Sequence, residues 1–368
     1  HGTVADNTAV LDRRSAKPII INGDMHVAQR ATSVTSVTSS AYQTVDRFKF
    51  SLSSAGTWTV TQADDAPTGS GFQHSFKIDC TTADASLAAS DFMTISTQLE
   101  GQDLQMFKKG TSSAEKMTIS FWVKATKTGT NILEVDDNDN GRSISQAYTI
   151  SSANTWEKKV LSFDADTTGA FDNDNASSLR LFWWLGAGSN YQSGTLATSW
   201  ASTTNANRVV GQVNNADSTD NNWQITGIQL EVGDFDANSI APFQHESYGD
   251  SLQRCQRYFQ TIDCARTNAG SLGHVESSQV QTQLALAVTP RILAQYQGSG
   301  TLTKVGDIAI NTFPSNADSI TGVVNWMVLG NTLIFGMTTS DTIVNGSSEP
   351  VRYGSSNGQT IFTLDTEL

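Results

Sequence analysis

Trp223-Gln224-Ile225-Thr226-Gly227-Ile228-Gln229-Leu230-Glu231-Val232-Gly233, then Ala241-Pro242-Phe243-Gln244-His245-Glu246, then Tyr248 through Phe259, decides how this chain is read. The first piece reads as the last strand of a β-domain. Pro242 closes its exit loop, since proline lacks the N–H a strand ladder needs. Around Ser251 to Gln260 the residues Leu252, Cys255, Tyr258 and Phe259 fall on one side of a short helix. The stretch therefore marks the end of one strand-rich block and a joint into another.

Upstream, Met117, Ile119, Phe121 and Val123 alternate with Thr118, Ser120, Trp122 and Lys124, the period of two of a half-buried strand. Trp156–Phe163, Leu179–Leu185 and Trp223–Val232 read as further strands. Asn140-Gly141, Thr168-Gly169 and the Gly186–Ser189 stretch supply the turn chemistry between them. Short strands at this spacing, with no helical repeats between them, indicate an antiparallel sandwich. Downstream, Val280, Thr282, Leu284, Leu286 and Val288 alternate until Pro290, and Gly330-Asn331 sits between two apolar runs as a hairpin signal. The expected architecture is all-β: two antiparallel, jelly-roll-like β-sandwich domains preceded by an extended N-terminal segment. The expected boundaries are 1–43 for that segment, 44–246 for the first sandwich, 247–264 for a linker helix and 265–368 for the second sandwich.

The N-terminal segment holds one apolar run, Pro18-Ile19-Ile20-Ile21, and then Thr32 to Ser40, almost all Ser, Thr and Val. Such a segment cannot bury a core of its own. It is expected to be extended and ordered by a partner or a neighbouring subunit. The formal net charge is −13, which does not favour nucleic acid or anionic lipid through general electrostatics. No run of about 18 apolar residues occurs, so no transmembrane helix and no membrane insertion are expected. Cys80, Cys255 and Cys264 are odd in number and scattered, which favours buried thiols over a disulfide framework.

Several patterns invite a catalytic or metal reading. Gly249-Asp250-Ser251-Leu252 matches the nucleophile block of an esterase and lipase family. That chemistry needs a Ser at the end of a buried strand and a downstream His with an Asp three residues before it. The preceding residues are polar and His274 lacks that Asp, so a helix N-terminus capped by Asp250 or Ser251 is the better reading. Gly186-Ala187-Gly188 lacks the third glycine of a dinucleotide fingerprint, because position 191 is Tyr; a turn fits it better. Glycosidases need two positioned carboxylates, and no pair stands out, so no catalytic residue is assigned. Asp136-Asp137-Asn138-Asp139-Asn140-Gly141 fits the first half of a calcium loop, with Asp136, Asn138 and Asn140 as ligands, but position 147 is Ala instead of the closing Glu. Asp172-Asn173-Asp174-Asn175 is a second oxygen-rich loop. No zinc spacing appears, and calcium is the one metal the sequence suggests.

The aromatic residues carry the clearer signal. Sugar recognition uses flat rings against the apolar faces of pyranoses. Trp122 lies on the polar phase of its strand. Arg180 marks the phase of Phe182 and Trp184 as solvent-facing, and Tyr191 and Trp200 follow in a polar region. Trp122, Trp184, Tyr191 and Trp200 are therefore the candidate carbohydrate-binding residues, against the plainer alternative that they are core or subunit-interface residues.

Asn22-Gly23-Asp24-Met25 with Ala28-Gln29-Arg30, Thr44-Val45-Asp46-Arg47-Phe48, Thr118 to Lys124, Asn154-Thr155-Trp156-Glu157, Ile225 to Gly233 and Pro242-Phe243 to Tyr258 together resemble bacteriophage fibre and tail-appendage proteins that carry a carbohydrate-binding-module-like sandwich. The resemblance spans about residues 20 to 260. It implies a jelly-roll module, a homotrimeric appendage on the virion surface and a host cell-surface polysaccharide as ligand. On that basis the chain is expected to be a non-enzymatic receptor-binding fibre protein. Ile19, Ile20, Ile21, Asn22, Gly23, Asp24 and Met25 would dock it to other virion structural proteins. A polysaccharide-degrading tailspike-type enzyme and a purely structural capsid or tail decoration are the alternatives.

Overall fold

The computed structural model describes residues 17–264 throughout, and beyond them the strands between 271 and 365 and the adjoining residues 366–367. The chain divides into two compact units, the first reaching Ser251 and the second beginning at Leu252. The first unit holds twelve strands: β1 (Ser33–Val37), β2 (Lys49–Ser53), β3 (Thr57–Ala63), β4 (Ser75–Thr82), β5 (Phe92–Glu100), β6 (Met117–Ala125), β7 (Gly129–Asp137), β8 (Arg142–Ile150), β9 (Glu157–Phe163), β10 (Ser177–Ala187), β11 (Ala201–Ser202) and β12 (Asn222–Val232). They form two six-stranded sheets. Sheet 1 has the order β1-β3-β4-β12-β6-β9 and sheet 2 the order β11-β8-β7-β10-β5-β2. Neighbours pair antiparallel throughout both sheets.

Alternation explains the layers. In β6 the residues Ile119, Phe121 and Val123 are fully buried, and in β10 Leu179, Leu181 and Trp183 are too. These inward sets, with Phe50, Trp58, Phe76 and Trp223, make one continuous core. Burying such large side chains contributes about 1.5–3 kcal/mol each before entropy is counted. The Asn140-Gly141 turn joins β7 to β8, with Gly141 at φ 61° and Asp137 opposite Arg142.

The N-terminal segment departs from expectation. Residues 17–30 pack onto their own chain's sandwich instead of awaiting a partner. Ile19, Ile20 and Met25 belong to the main core, and Ile20 and Met25 are almost wholly buried. The Asn22 amide donates to the Val27 and Asp46 carbonyls, both at 2.9 Å, and accepts from the Val27 N–H. This strap crosses β12 where that strand bulges: register shifts between Thr226 and Gln229, with Gly227 at φ 61°. The freed Ile228 N–H donates to the Gly23 carbonyl at 2.9 Å. A Cβ on Gly23 would lie 2.1 Å from the Ile228 carbonyl oxygen, so only glycine fits. The run Ile19–Met25 looked orphaned because its partner lies some 200 residues later. Thr32 to Ser40 includes β1, one of the two edge strands of sheet 1.

The joint is a helix, α2 (Tyr248–Gln256), which follows the shorter α1 (Ser189–Gln192). Ser247 caps α2: the Asp250 N–H donates to its Oγ, and that hydroxyl donates to the Asp250 carboxylate. Neither Asp250 nor Ser251 is the cap, and Ser251 sits buried inside the helix. Phe259 opens a strand, Phe259–Cys264, so the helix ends earlier than its apolar pattern suggested. Cys80 and Cys255 are buried and lie outside any disulfide, and the Cys264 side chain lies outside the described residues.

The described strands of the second unit pair antiparallel. Phe259–Cys264, Thr301–Val305 and Thr360–Asp365 form a three-stranded sheet, and six further strands close into a ring. Asn316–Leu329 and Thr332–Thr339 make the expected hairpin, with Leu329 opposite Thr332. Gly330, Asn331 and residues 286–290 lie outside the described residues.

Candidate functional site

The inward residues of β10 fill the core, so Arg180, Phe182 and Trp184 must share the other face of sheet 2. Cross-strand register sets their neighbours. Trp184 stands opposite Thr94, and Thr94 opposite Ser51. Phe182 stands between Ser96 and Glu134, with Lys49 beyond Ser96. Arg180 stands between Gln98 and Asp136. A cleft of about 360 Å³ opens over this grid, walled by Phe92, Phe182, Trp184 and Tyr191 and by Lys49, Arg180 and Arg208. That volume lies within the range of small-molecule sites, about 300–1,000 Å³.

Two segments outside the sheet complete the cleft. Tyr191 comes from α1, and Arg208 from the loop after the short turn Asn205–Asn207. The Val209 N–H donates to the Tyr191 carbonyl at 3.0 Å, which ties the two segments together. The Tyr191 and Trp184 ring centroids lie 5.4 Å apart, and Phe92 packs edge-on against both. Trp184 is only 2% exposed and forms the floor, while Phe92, Phe182 and Tyr191 are half-buried.

Charge is layered behind the rings. Arg208 grips Glu134 with both arms, Nε to Oε1 at 2.8 Å and Nη2 to Oε2 at 2.9 Å. The Trp184 indole N–H donates to the same carboxylate at 2.9 Å. Burial pushes the Glu134 carboxyl up from its ordinary range, and the charge and hydrogen bonds of Arg208 oppose that rise. The Arg208 guanidinium also lies over the Trp184 ring, 5.0 Å from its centroid. Arg180 Nε donates to Asp136 at 2.7 Å. On the floor, the Thr94 hydroxyl is buried and has no hydrogen-bond partner among the described residues.

The four aromatic residues singled out from sequence do not share one place. Trp184 and Tyr191 come together in the cleft. Trp122 is half-buried on β6, in sheet 1, beside the Gly227 bulge. Trp200 precedes β11, at the far edge of sheet 2; its indole donates to the Asp164 carbonyl at 2.7 Å and its ring covers the Lys109 ammonium at 5.0 Å. Lys109 is itself buried against Asp137 and Asp166. The proposed calcium ligands are engaged by the protein and point apart. Asp136 faces Arg180, the Asn138 amide donates to the Ser177 carbonyl, and the Asn140 amide donates to Asp137. Among the described residues no three His, Cys, Asp or Glu side chains are grouped to hold a metal ion. In the second oxygen-rich loop the Asp172 N–H donates to the Asp139 carboxylate.

Sequence reasoning missed Phe92, Lys49, Arg208 and Glu134 as neighbours of the site. Phe182 was legible from its phase with Arg180. Arg208 carried no local signal, because its partner Glu134 is 74 residues away.

No family model matches the sequence, and no curated protein matches it. Solved structures do align with it. One is the enzymatically active domain of tailspike protein 4 of bacteriophage CBA120, at 14% identity over 58% of this chain and 21% of that one, with a TM-score of 0.31. A second is a putative sugar binding protein from Bacteroides thetaiotaomicron, at 13% identity over 59% of this chain and 100% of that one, TM-score 0.31. A third is the family 11 carbohydrate-binding module of a cellulosomal cellulase from Clostridium thermocellum, at 10% identity over 60% and 98%, TM-score 0.27. This chain thus spans about a fifth of the tailspike domain it aligns with.

Proposed function

We propose that this chain binds glycans in the cleft of sheet 2, without catalysis, as a receptor-binding fibre protein of a bacteriophage virion. The observation that carries the reading is the aromatic cleft itself. Phe182, Phe92 and Tyr191 offer half-exposed ring surface, and hydroxyl and guanidinium donors stand beside them. Apolar faces of pyranoses pack on such rings while their hydroxyls take the hydrogen bonds. Catalysis is disfavoured by the state of the nearby carboxylates. Glu134 and Asp136 are buried and each is held by an arginine, so neither is placed to protonate a leaving group or activate water.

The virion role rests on the sequence resemblance over residues 20 to 260. A homotrimer fits that role, since weak single-site sugar binding gains from effective concentration. The ligand would be a host cell-surface polysaccharide, and the partners other virion proteins.

The test is a glycan array with the whole chain, followed by titration of Phe182→Ala and Tyr191→Ala. Each variant should lose at least about tenfold in affinity, roughly 1.4 kcal/mol, with its unfolding midpoint nearly kept. A blank array, or variants that bind as the parent does, would sink the cleft reading. Release of reducing sugar from a bound polysaccharide would sink the non-catalytic part. Light scattering is expected to report a trimer, and a clean monomer would remove that element.

A further inference from the structure

We infer that the cleft takes an acidic glycan, one whose sugar carries a carboxylate such as a uronic acid, and that Lys49 reads the charge. The inference rests on the cleft being a glycan site and names the ligand class for it.

The first observation is a local reversal of sign. The chain carries a formal net charge of −13, yet the charged residues lining the cleft are Lys49, Arg180 and Arg208, all cations. The carboxylates that balance the arginines lie behind them. Asp136 and Glu134 side chains are 4% and 0% exposed, while Arg180 and Arg208 keep 33% and 17%. A ligand therefore meets the guanidinium edges first.

The second observation is that Lys49 has no counter-ion among the described residues. Its ammonium lies over the Tyr42 ring, 5.8 Å from the centroid. Three cations against two carboxylates leave the cleft with one uncompensated positive charge. A half-buried lysine without an anion beside it is open to pairing with a ligand's carboxylate.

The third observation concerns donors and acceptors. A neutral sugar donates as often as it accepts, so its site is best served by strong acceptors, carboxylates or amides, beside the donors. The lining here offers none; it supplies ammonium and guanidinium N–H groups and the hydroxyls of Ser40, Ser51, Thr94 and Tyr191. The Ser40 hydroxyl is already engaged with the Leu52 backbone. An acceptor-rich ligand complements that set. Thr94 lines the same space, and its buried hydroxyl has no hydrogen-bond partner among the described residues.

Register gives the placement. Lys49 and Phe182 lie on the same row of the sheet with Ser96 between them. That is two strand spacings, about 10 Å between backbones. A sugar ring on Phe182 spans the gap and turns its exocyclic carboxylate toward the Lys49 ammonium, with Arg180 one row away.

The test uses the full chain on a panel of uronic-acid and other carboxylated oligosaccharides, each beside its carboxyl-reduced neutral counterpart, at low and high salt. The acidic members should bind at least about tenfold tighter than their counterparts at low salt, and salt should narrow the gap. Lys49→Gln should shrink the preference to within about threefold with no change in unfolding midpoint, and Lys49→Arg should keep it. Tyr191→Ala should weaken binding of whatever binds, which tests the cleft itself. Equal affinity for acidic and neutral partners overturns the acidic inference and leaves the cleft reading standing. A preference that survives in Lys49→Gln overturns the role of Lys49. A panel on which nothing binds overturns both.

Discussion

Removing Arg208 should expose how the cleft floor is held. In Arg208→Ala the Glu134 carboxylate, fully buried in the parent, loses both guanidinium contacts and keeps one hydrogen bond, from the Trp184 indole. Stranding one member of a buried ion pair costs about 3–5 kcal/mol. The guanidinium also lies over the Trp184 and Phe182 rings at 5.0 and 5.7 Å, contacts worth about 0.5–1 kcal/mol each. The variant should therefore lose about 4–7 kcal/mol at neutral pH, a large share of the roughly 5–15 kcal/mol that a domain has. Burial already pushes Glu134 upward, and without Arg208 little opposes it. A carboxyl with a raised folded pKa favours the folded state fully below its unfolded pKa and loses that benefit as pH rises through the folded value. The deficit of Arg208→Ala should accordingly shrink as pH falls toward and below the ordinary carboxylate range. Adding Glu134→Gln should recover part of it at neutral pH, because an amide carries no buried charge. Urea unfolding followed by tryptophan fluorescence, at neutral and mildly acid pH, reads all three quantities. A loss within about 0.5 kcal/mol of zero, or one indifferent to pH, would refute the argument that Glu134 is a buried charge balanced by Arg208.

Other perturbations reach other parts of the molecule. Gly23→Ala should destabilise the first unit by about 1–3 kcal/mol, since its Cβ would collide with the Ile228 carbonyl; an unchanged denaturation midpoint would show that the strap is not seated there. Burial works against ionisation of Asp166, but hydrogen bonds from Arg142 and Lys109 outweigh it and hold its carboxyl below the usual range. Its contribution is present above the unfolded pKa and is lost as pH falls through the lowered folded value, so Asp166→Asn should flatten the acid limb of the stability curve; a parallel curve rules this out. Trp122→Ala should leave glycan affinity within about twofold, because that ring is on sheet 1, and a tenfold loss would move the site there.

The sequence made strands legible where polar residues mark one face. β6 alternates apolar and polar residues, and in β10 the phase set by Arg180 separates Trp183 in the main core from Phe182 and Trp184 on the other face. β12 was found by its apolar content but not by its phase, since every residue from Trp223 to Val232 is buried. Its outer face is covered by the strap, and its bulge at Gly227 shifts the register. What escaped was pairing at long range. Arg208 and Glu134, like Gly23 and Ile228, are ordinary residues until the fold puts them together. Exposure was also misjudged: Trp184 shares the phase of Arg180 in sequence, but Tyr191 and Phe92 close over it.

The crossing of the strap over β12 has a consequence for synthesis. The Thr226 hydroxyl donates to the Asp24 carbonyl across 202 positions of chain. At about 5–20 residues per second, the earliest of these residues leaves the ribosome roughly 10–40 s before its partner. For that interval the strap lacks the β12 bulge it is bonded to, and sheet 1 lacks the strand that belongs between β4 and β6. The sandwich therefore closes at both of its ends in one late event. A nascent chain stopped short of Trp223 would display an apolar tail and two unpaired strand edges at once, the surfaces a holding chaperone binds.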